Sequence, residues 1–77
     1  MKWEHLKATK RLPENYRANI GNGVDWYRII RNDDGSCHLR FRGHYLVSSF
    51  GIGRAGIREL KNFAAKHAVQ RALESIA

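Results

Sequence analysis

The sequence predicts an α+β domain, in which a small antiparallel sheet is covered on one face by a long C-terminal helix. Apolar residues recur at intervals of three and four in the stretch from Phe50 to Ile76, as they do on one face of an amphipathic helix. Upstream, short alternating runs are separated by glycine turns, as in a strand meander. A chain of 77 residues is long enough for one domain. We therefore expect a single domain over residues 1–77.

The N-terminal segment from Trp3 to Arg11 consists largely of good helix formers, and Trp3, Leu6 and Leu12 have the spacing of one helical face. Proline disfavours a helical conformation for the residue before it, so we expect a short helix that ends at Pro13. A helix of about ten residues is marginal in water on its own. Trp3 and Leu6 should therefore pack on the rest of the domain.

The middle of the chain predicts three or four antiparallel strands. Extended runs are expected over residues 15–20, 24–31, 38–41 and 44–50, joined by turns at Asn22-Gly23, Asp34-Gly35 and Arg42-Gly43. Residues 37–50 fit either one long bulged strand or two short strands, and the residue pattern leaves both open.

The C-terminal segment predicts the only long helix. Its apolar positions form one stripe, which should lie on the sheet: Ile57, Leu60, Ala64, Ala65, Ala68, Val69, Ala72, Leu73 and Ile76. Gly51, Gly53 and Gly56 precede or open this helix, and basic residues gather where its unpaired N–H groups and positive dipole end would attract an anion.

The composition limits the classes of partner and the cellular locations to be expected. Fourteen Lys and Arg against seven Asp and Glu give a net charge of +7 and a pI of about 10.2, which favours a polyanionic partner such as nucleic acid. The single cysteine, Cys37, excludes an internal disulfide framework. No apolar run has the length of a membrane span and the N-terminus lacks a signal-peptide pattern, so we expect a cytoplasmic or nuclear protein without membrane contact.

Catalysis and cofactor binding find no support in the sequence. The four histidines lack the spacing of a metal-binding helix or finger. Asp33-Asp34 sits in a glycine turn and is best explained by turn chemistry. Gly51-x-Gly53 has neither the lysine of a P-loop nor the third glycine of a dinucleotide fingerprint. We therefore expect no enzyme activity, no cofactor and no metal.

The segment GIGRAGIRELKNFAAKHAV, residues 51–69, resembles the last strand-to-helix signature of the double-stranded RNA-binding domain family. In that family a glycine turn and basic residues precede an alanine-rich helix, and Arg58, Lys61 and Ala64 fall at matching positions. The resemblance implies the order helix, three strands, helix. It also implies that the domain grips double-stranded RNA by shape, without sequence preference, through minor-groove 2′-hydroxyls and major-groove phosphates.

The resemblance implies roles for seven side chains. Arg54, Arg58 and Lys61 would straddle the major-groove phosphates, and His38 would probe one minor groove from a strand loop. The second minor-groove contact would come from Glu4, His5 and Lys7 on the first helix. The register of that loop has two solutions, with the first strand opening at Tyr16 or at Tyr27, and the fit of His38 and Phe41 favours the second.

Two alternatives remain open. The segments LPENYRANIGNGVDWYRI and FGIGR are also similar to the arm-type DNA-binding domains of phage integrases, in which an open three-stranded sheet enters the major groove. Strand arginines would then read DNA: Arg17, Arg28, Arg40 and Arg42. In the third interpretation, the basic domain is an interaction module for an acidic protein. In each case we expect a monomer.

Overall fold

Within residues 1–21 and 23–76, five antiparallel strands form one sheet in sequence order, and a single helix packs on one face of it. The computed structural model describes residues 1–21 and 23–76. Its elements are β1 (Glu4–Leu6), β2 (Asn15–Asn19), β3 (Trp26–Arg31), β4 (Ser36–Phe41), β5 (His44–Ile52) and α1 (Gly53–Ile76). The predicted α+β class and the C-terminal helix on one sheet face are confirmed. Within the described residues, no helix combines the length and apolarity needed to cross a membrane.

The predicted N-terminal helix is wrong. Residues Glu4–Leu6 form strand β1, which pairs with β2 in the register Glu4↔Arg17, His5↔Tyr16 and Leu6↔Asn15. So short a segment cannot hold a helix by propensity alone, whereas pairing with β2 gives its backbone groups partners. Trp3 still packs against the core, as expected.

In the part of the chain that the structure describes, the sheet has five strands, more than the predicted three or four. Residues 37–50 divide between β4 and β5, which meet at Arg42-Gly43, where both residues have positive φ angles of 53° and 80°. This is the conformation of a type I′ hairpin turn. The Asp34-Gly35 turn is also confirmed, because Gly35 has φ of 89° and Asn32 N donates to Ser36 O at 2.7 Å. Asn22, in the first predicted turn, lies outside the described residues.

The core lies between the sheet and the first half of α1. Tyr27, Ile29, Cys37, Leu39 and Phe41 project from β3 and β4 onto a helix face made by Ile57, Leu60 and Ala64.

The predicted single apolar stripe on α1 is only partly right. Val69 and Leu73 point away from the sheet and are 60% and 63% exposed. In a helix of 24 residues the inward and outward faces can both carry apolar residues, and the sequence spacing alone does not separate them. The side chain of Ile76 lies outside the described residues.

The junction between β5 and α1 is tightly bonded. The Glu59 carboxylate accepts hydrogen bonds from the backbone N–H groups of Phe50 and Gly51 at 3.0 Å. These bonds lower the pKa of Glu59. A Cβ at position 56 would lie 2.6 Å from Gly51 O, so the helix starts against the strand at a distance that only glycine permits.

Candidate nucleic-acid interface

Three arginines lie directly opposite one another on the sheet face that α1 leaves uncovered. Arg17 on β2 is the register partner of Arg28 on β3, which in turn is the partner of Arg40 on β4. Directly opposed residues of antiparallel strands project on the same face. We call Arg17, Arg28 and Arg40 the arginine row. It follows from strand pairing alone, because each arginine sits in a separate stretch of sequence.

Polar neighbours on the same face hold two of these arginines in place. Arg28 donates to Asn15 Oδ1 at 3.1 Å, and Arg40 Nε donates to His38 Nε2 at 3.2 Å. The other ring nitrogen of His38, Nδ1, lies 2.6 Å from Asn32 Oδ1. Burial, and then the charge of Arg40, lowers the pKa of His38. The neutral ring therefore donates from Nδ1 to Asn32 and accepts from Arg40, which fixes its tautomer.

The third arginine, Arg17, contacts both an acidic side chain and an aromatic ring. Arg17 Nε lies 2.6 Å from Glu4 Oε1, and its guanidinium stacks over the Trp26 ring at 5.0 Å. The row lines a shallow concavity of about 420 Å³, whose apolar floor comes from Leu12, Trp26 and Ile30. The open face thus combines planar cations with an aromatic surface.

Arg42 differs from the other predicted DNA-reading arginines. It occupies the β4–β5 turn and forms an ion pair with the buried carboxylate of Asp25. Its backbone N–H also donates to Trp26 O at 3.1 Å. The Asp25 carboxylate neutralises the charge of Arg42. Together with the backbone hydrogen bond, this ion pair fixes the turn against the start of β3.

The basic residues at the start of α1 gather on the opposite side of the molecule. Arg54, Arg58 and Lys61 line a concavity of about 410 Å³ together with Tyr16 and Ile57. Lys61 is half-buried, and its Nζ lies 5.0 Å from the centre of the Tyr16 ring. A lysine on the inward side of the helix is therefore accommodated by the aromatic face of β2.

The other predicted RNA contacts divide between the two faces. His5 belongs with the helix start, since its ring stacks on Tyr16 at 4.5 Å and its Nε2 lies 3.4 Å from Glu14. Glu4 and His38 lie on the open face, and His38 is a strand residue of β4 where a loop was expected. Lys7 follows β1 and is exposed.

Sequence reasoning missed the residues that orient the row: Asn15, Trp26 and Asn32. The alternation in WYRIIR and CHLRFR places Arg28 and Arg40 away from the buried positions of their own strands. The pattern does not specify which residues of neighbouring strands are partners.

Among the described residues, no group of three or more His, Cys, Asp or Glu side chains is arranged to hold a metal ion. Comparison with protein-family models, with curated proteins and with solved structures gives no match to this chain.

Proposed function

We propose that this protein binds double-helical DNA through the open face of its sheet, with the arginine row as the principal contact. The observation that carries the proposal is the direct opposition of Arg17, Arg28 and Arg40 on three neighbouring strands. Like charges at directly opposed positions of a sheet are destabilising. An anionic ligand bound across the row would relieve this repulsion, and the relief would contribute to the free energy of binding.

The dimensions of the row suit the major groove of B-form DNA. Neighbouring strands are about 4.8 Å apart, so the outer two arginines originate about 10 Å from each other. The groove is about 12 Å wide and admits a two-stranded β-ribbon, so the arginine side chains of this five-stranded sheet, and not the sheet itself, would enter it. Arginine forks pair with guanine O6 and N7 or with phosphate oxygens. Arg28 and Arg40 are held by Asn15 and His38, which reduces the side-chain entropy that binding would cost.

Overall charge supports the same proposal. The chain carries +7, and nucleic-acid binding by such a surface releases condensed counterions. Affinity should therefore fall steeply as salt rises. We assign no reaction, cofactor or metal to this surface.

The test compares arginine variants from the two basic surfaces. Fluorescence anisotropy with a labelled DNA duplex of about 20 base pairs should show that Arg28→Ala and Arg40→Ala each weaken binding by about 5- to 150-fold, the range of about 1–3 kcal/mol for one good arginine contact. Arg58→Ala, an exposed arginine on the helix, is the matched control and should bind within about threefold of wild type. Unchanged affinity in both row variants, with unchanged circular dichroism, would overturn the proposal.

Double-stranded RNA is a second candidate ligand, favoured by the clustering of Arg54, Arg58 and Lys61 around one concavity with His5 beside it. In that case the helix-start surface would contact the major-groove phosphates. Titration with an RNA duplex of the same sequence separates the candidates. Loss of binding in Arg58→Ala, with Arg28→Ala unaffected, would select RNA binding at the helix start.

A further inference from the structure

The outward face of α1 carries an apolar stripe that is exposed to solvent. Ala65, Val69 and Leu73 follow one another at intervals of four on the side opposite the core residues Leu60 and Ala64. Val69 and Leu73 are among the most exposed large apolar side chains of the helix. Nearer the N-terminus the same side is polar, with Arg58 and Asn62 exposed, so the stripe is confined to the last turns.

One flank of this stripe carries a charge pattern that is self-complementary. Lys66, Gln70 and Glu74 lie at intervals of four along the flank. Lys66 and Glu74 are eight residues apart, about 12 Å along the helix, and so are too distant to pair within one chain. They are, however, equally distant from Gln70. When a second identical helix lies alongside in the opposite direction, the lysine of each copy therefore faces the glutamate of the other.

We propose that two copies of this protein associate through antiparallel pairing of their α1 helices along Ala65, Val69 and Leu73. With Gln70 of each copy at the centre, Lys66 of one copy faces Glu74 of the other on both sides of the two-fold axis. Parallel pairing would instead put the two flanks on opposite sides of the interface, where Lys66 of one copy could not face Glu74 of the other. Charge complementarity therefore selects a second copy of this chain in antiparallel orientation.

The dimer is weak, and it uses a different surface from the one proposed for nucleic-acid binding. Three small to medium apolar residues per helix cover less than the roughly 1,200–2,000 Å² of a standard stable interface, so we expect a Kd on the order of 10–100 µM. The stripe faces away from the sheet, and dimerisation leaves the arginine row exposed. Each copy carries +7, so salt should strengthen association by screening the repulsion between copies. Nucleic-acid binding has the opposite salt dependence.

Sedimentation velocity of the full chain without nucleic acid, from 10 to 500 µM and at about 50 and 500 mM NaCl, tests the proposal. Wild type should shift from monomer towards dimer with concentration, and more strongly at high salt. Leu73→Asp should remain monomeric over the whole range. Ser75→Asp is the matched control: it adds the same charge in the same helical turn but off the stripe, and it should dimerise like wild type.

Charge exchange tests the antiparallel arrangement itself. Lys66→Glu and Glu74→Lys should each weaken the dimer by about threefold or more, and the double variant should restore it, as in a double-mutant cycle. Far-UV circular dichroism verifies that each variant is folded. A monomer at 500 µM in both salts, or a dimer that survives Leu73→Asp, would overturn the proposal. A dimer that loses stability additively in the double variant would exclude the antiparallel arrangement.

Discussion

Replacing Glu4 by glutamine should tighten DNA binding. Glu4 lies at the end of the arginine row, opposite Arg17 in the strand register, and its Oε1 is 2.6 Å from Arg17 Nε. The side chains are 59% and 37% exposed, so the pair is in contact with solvent and contributes little to folding. In complex with DNA, the same carboxylate would face the phosphates and occupy one of the three arginines. Glu4→Gln keeps the shape and removes the charge.

The expected gain can be estimated from simple electrostatics. A carboxylate about 6 Å from a phosphate, at a dielectric constant of about 80, is repelled by about 0.7 kcal/mol, which corresponds to about threefold in Kd. Freeing Arg17 should add about one phosphate contact and steepen the slope of log K against log salt by about 0.9. Over the range from 50 to 200 mM salt, that difference in slope corresponds to roughly 3.5-fold. The variant should therefore have its largest advantage at low salt.

Fluorescence anisotropy titrations at three or four salt concentrations measure both quantities in one experiment. The same titrations with an RNA duplex distinguish the two candidate ligands, because RNA bound at the helix start would not contact Glu4 on the open face, and Glu4→Gln should leave that affinity nearly unchanged. Equal or weaker DNA affinity for Glu4→Gln, with wild-type circular dichroism, would refute the assignment of the open face as the DNA-binding surface.

Two further predictions concern stability. In an ordinary helix, replacing glycine by alanine raises the free energy of unfolding by about 0.5–1 kcal/mol. Gly56→Ala should instead lower it by about 1–3 kcal/mol, because the new Cβ would lie 2.6 Å from Gly51 O. A raised melting temperature would contradict this prediction. Burial, and then the charge of Arg71, lowers the pKa of His67, whose Nδ1 lies 2.6 Å from the Tyr27 hydroxyl. The folded state therefore favours the neutral ring, so stability is fully present above about pH 6.5 and falls as the pH drops below it. Thermal denaturation from pH 7.5 to 5.0 should show a smaller decline in His67→Phe than in wild type, and an identical decline would argue against His67 as the titrating group.

The local elements were largely predictable because they depend on short-range rules. The Asp34-Gly35 and Arg42-Gly43 turns are predicted correctly, since Gly35 and Gly43 both have positive φ angles, which glycine adopts without steric cost. The long helix was also predicted, although it begins at Gly53, earlier than the apolar stripe indicated. At the N-terminus, helical spacing in Trp3 to Arg11 was misleading, because a short segment adopts whatever its neighbours can pair with.

The candidate site was less predictable than the fold. The sequence indicates all three arginines of the row as possible DNA readers, but it also indicates Arg42, whose ion pair with Asp25 cannot be seen in the sequence. The residues expected to contact RNA follow from a family resemblance, and the structure distributes them over two faces. Side chains from distant segments meet only after strand register is set, and the register depends on which faces are buried.

The sequence by itself determined the strong positive charge, the hairpins and the amphipathic C-terminal helix, because composition, turn chemistry and periodicity are properties of short stretches. The tertiary structure decided three further features: β1 joins the sheet, Val69 and Leu73 face outward, and Arg17, Arg28 and Arg40 lie in one row. Each of these features depends on pairing or packing between different segments of the chain. Burying Tyr27, Ile29 and Leu39 under the helix fixes the register, and the same register leaves the arginines on the opposite face.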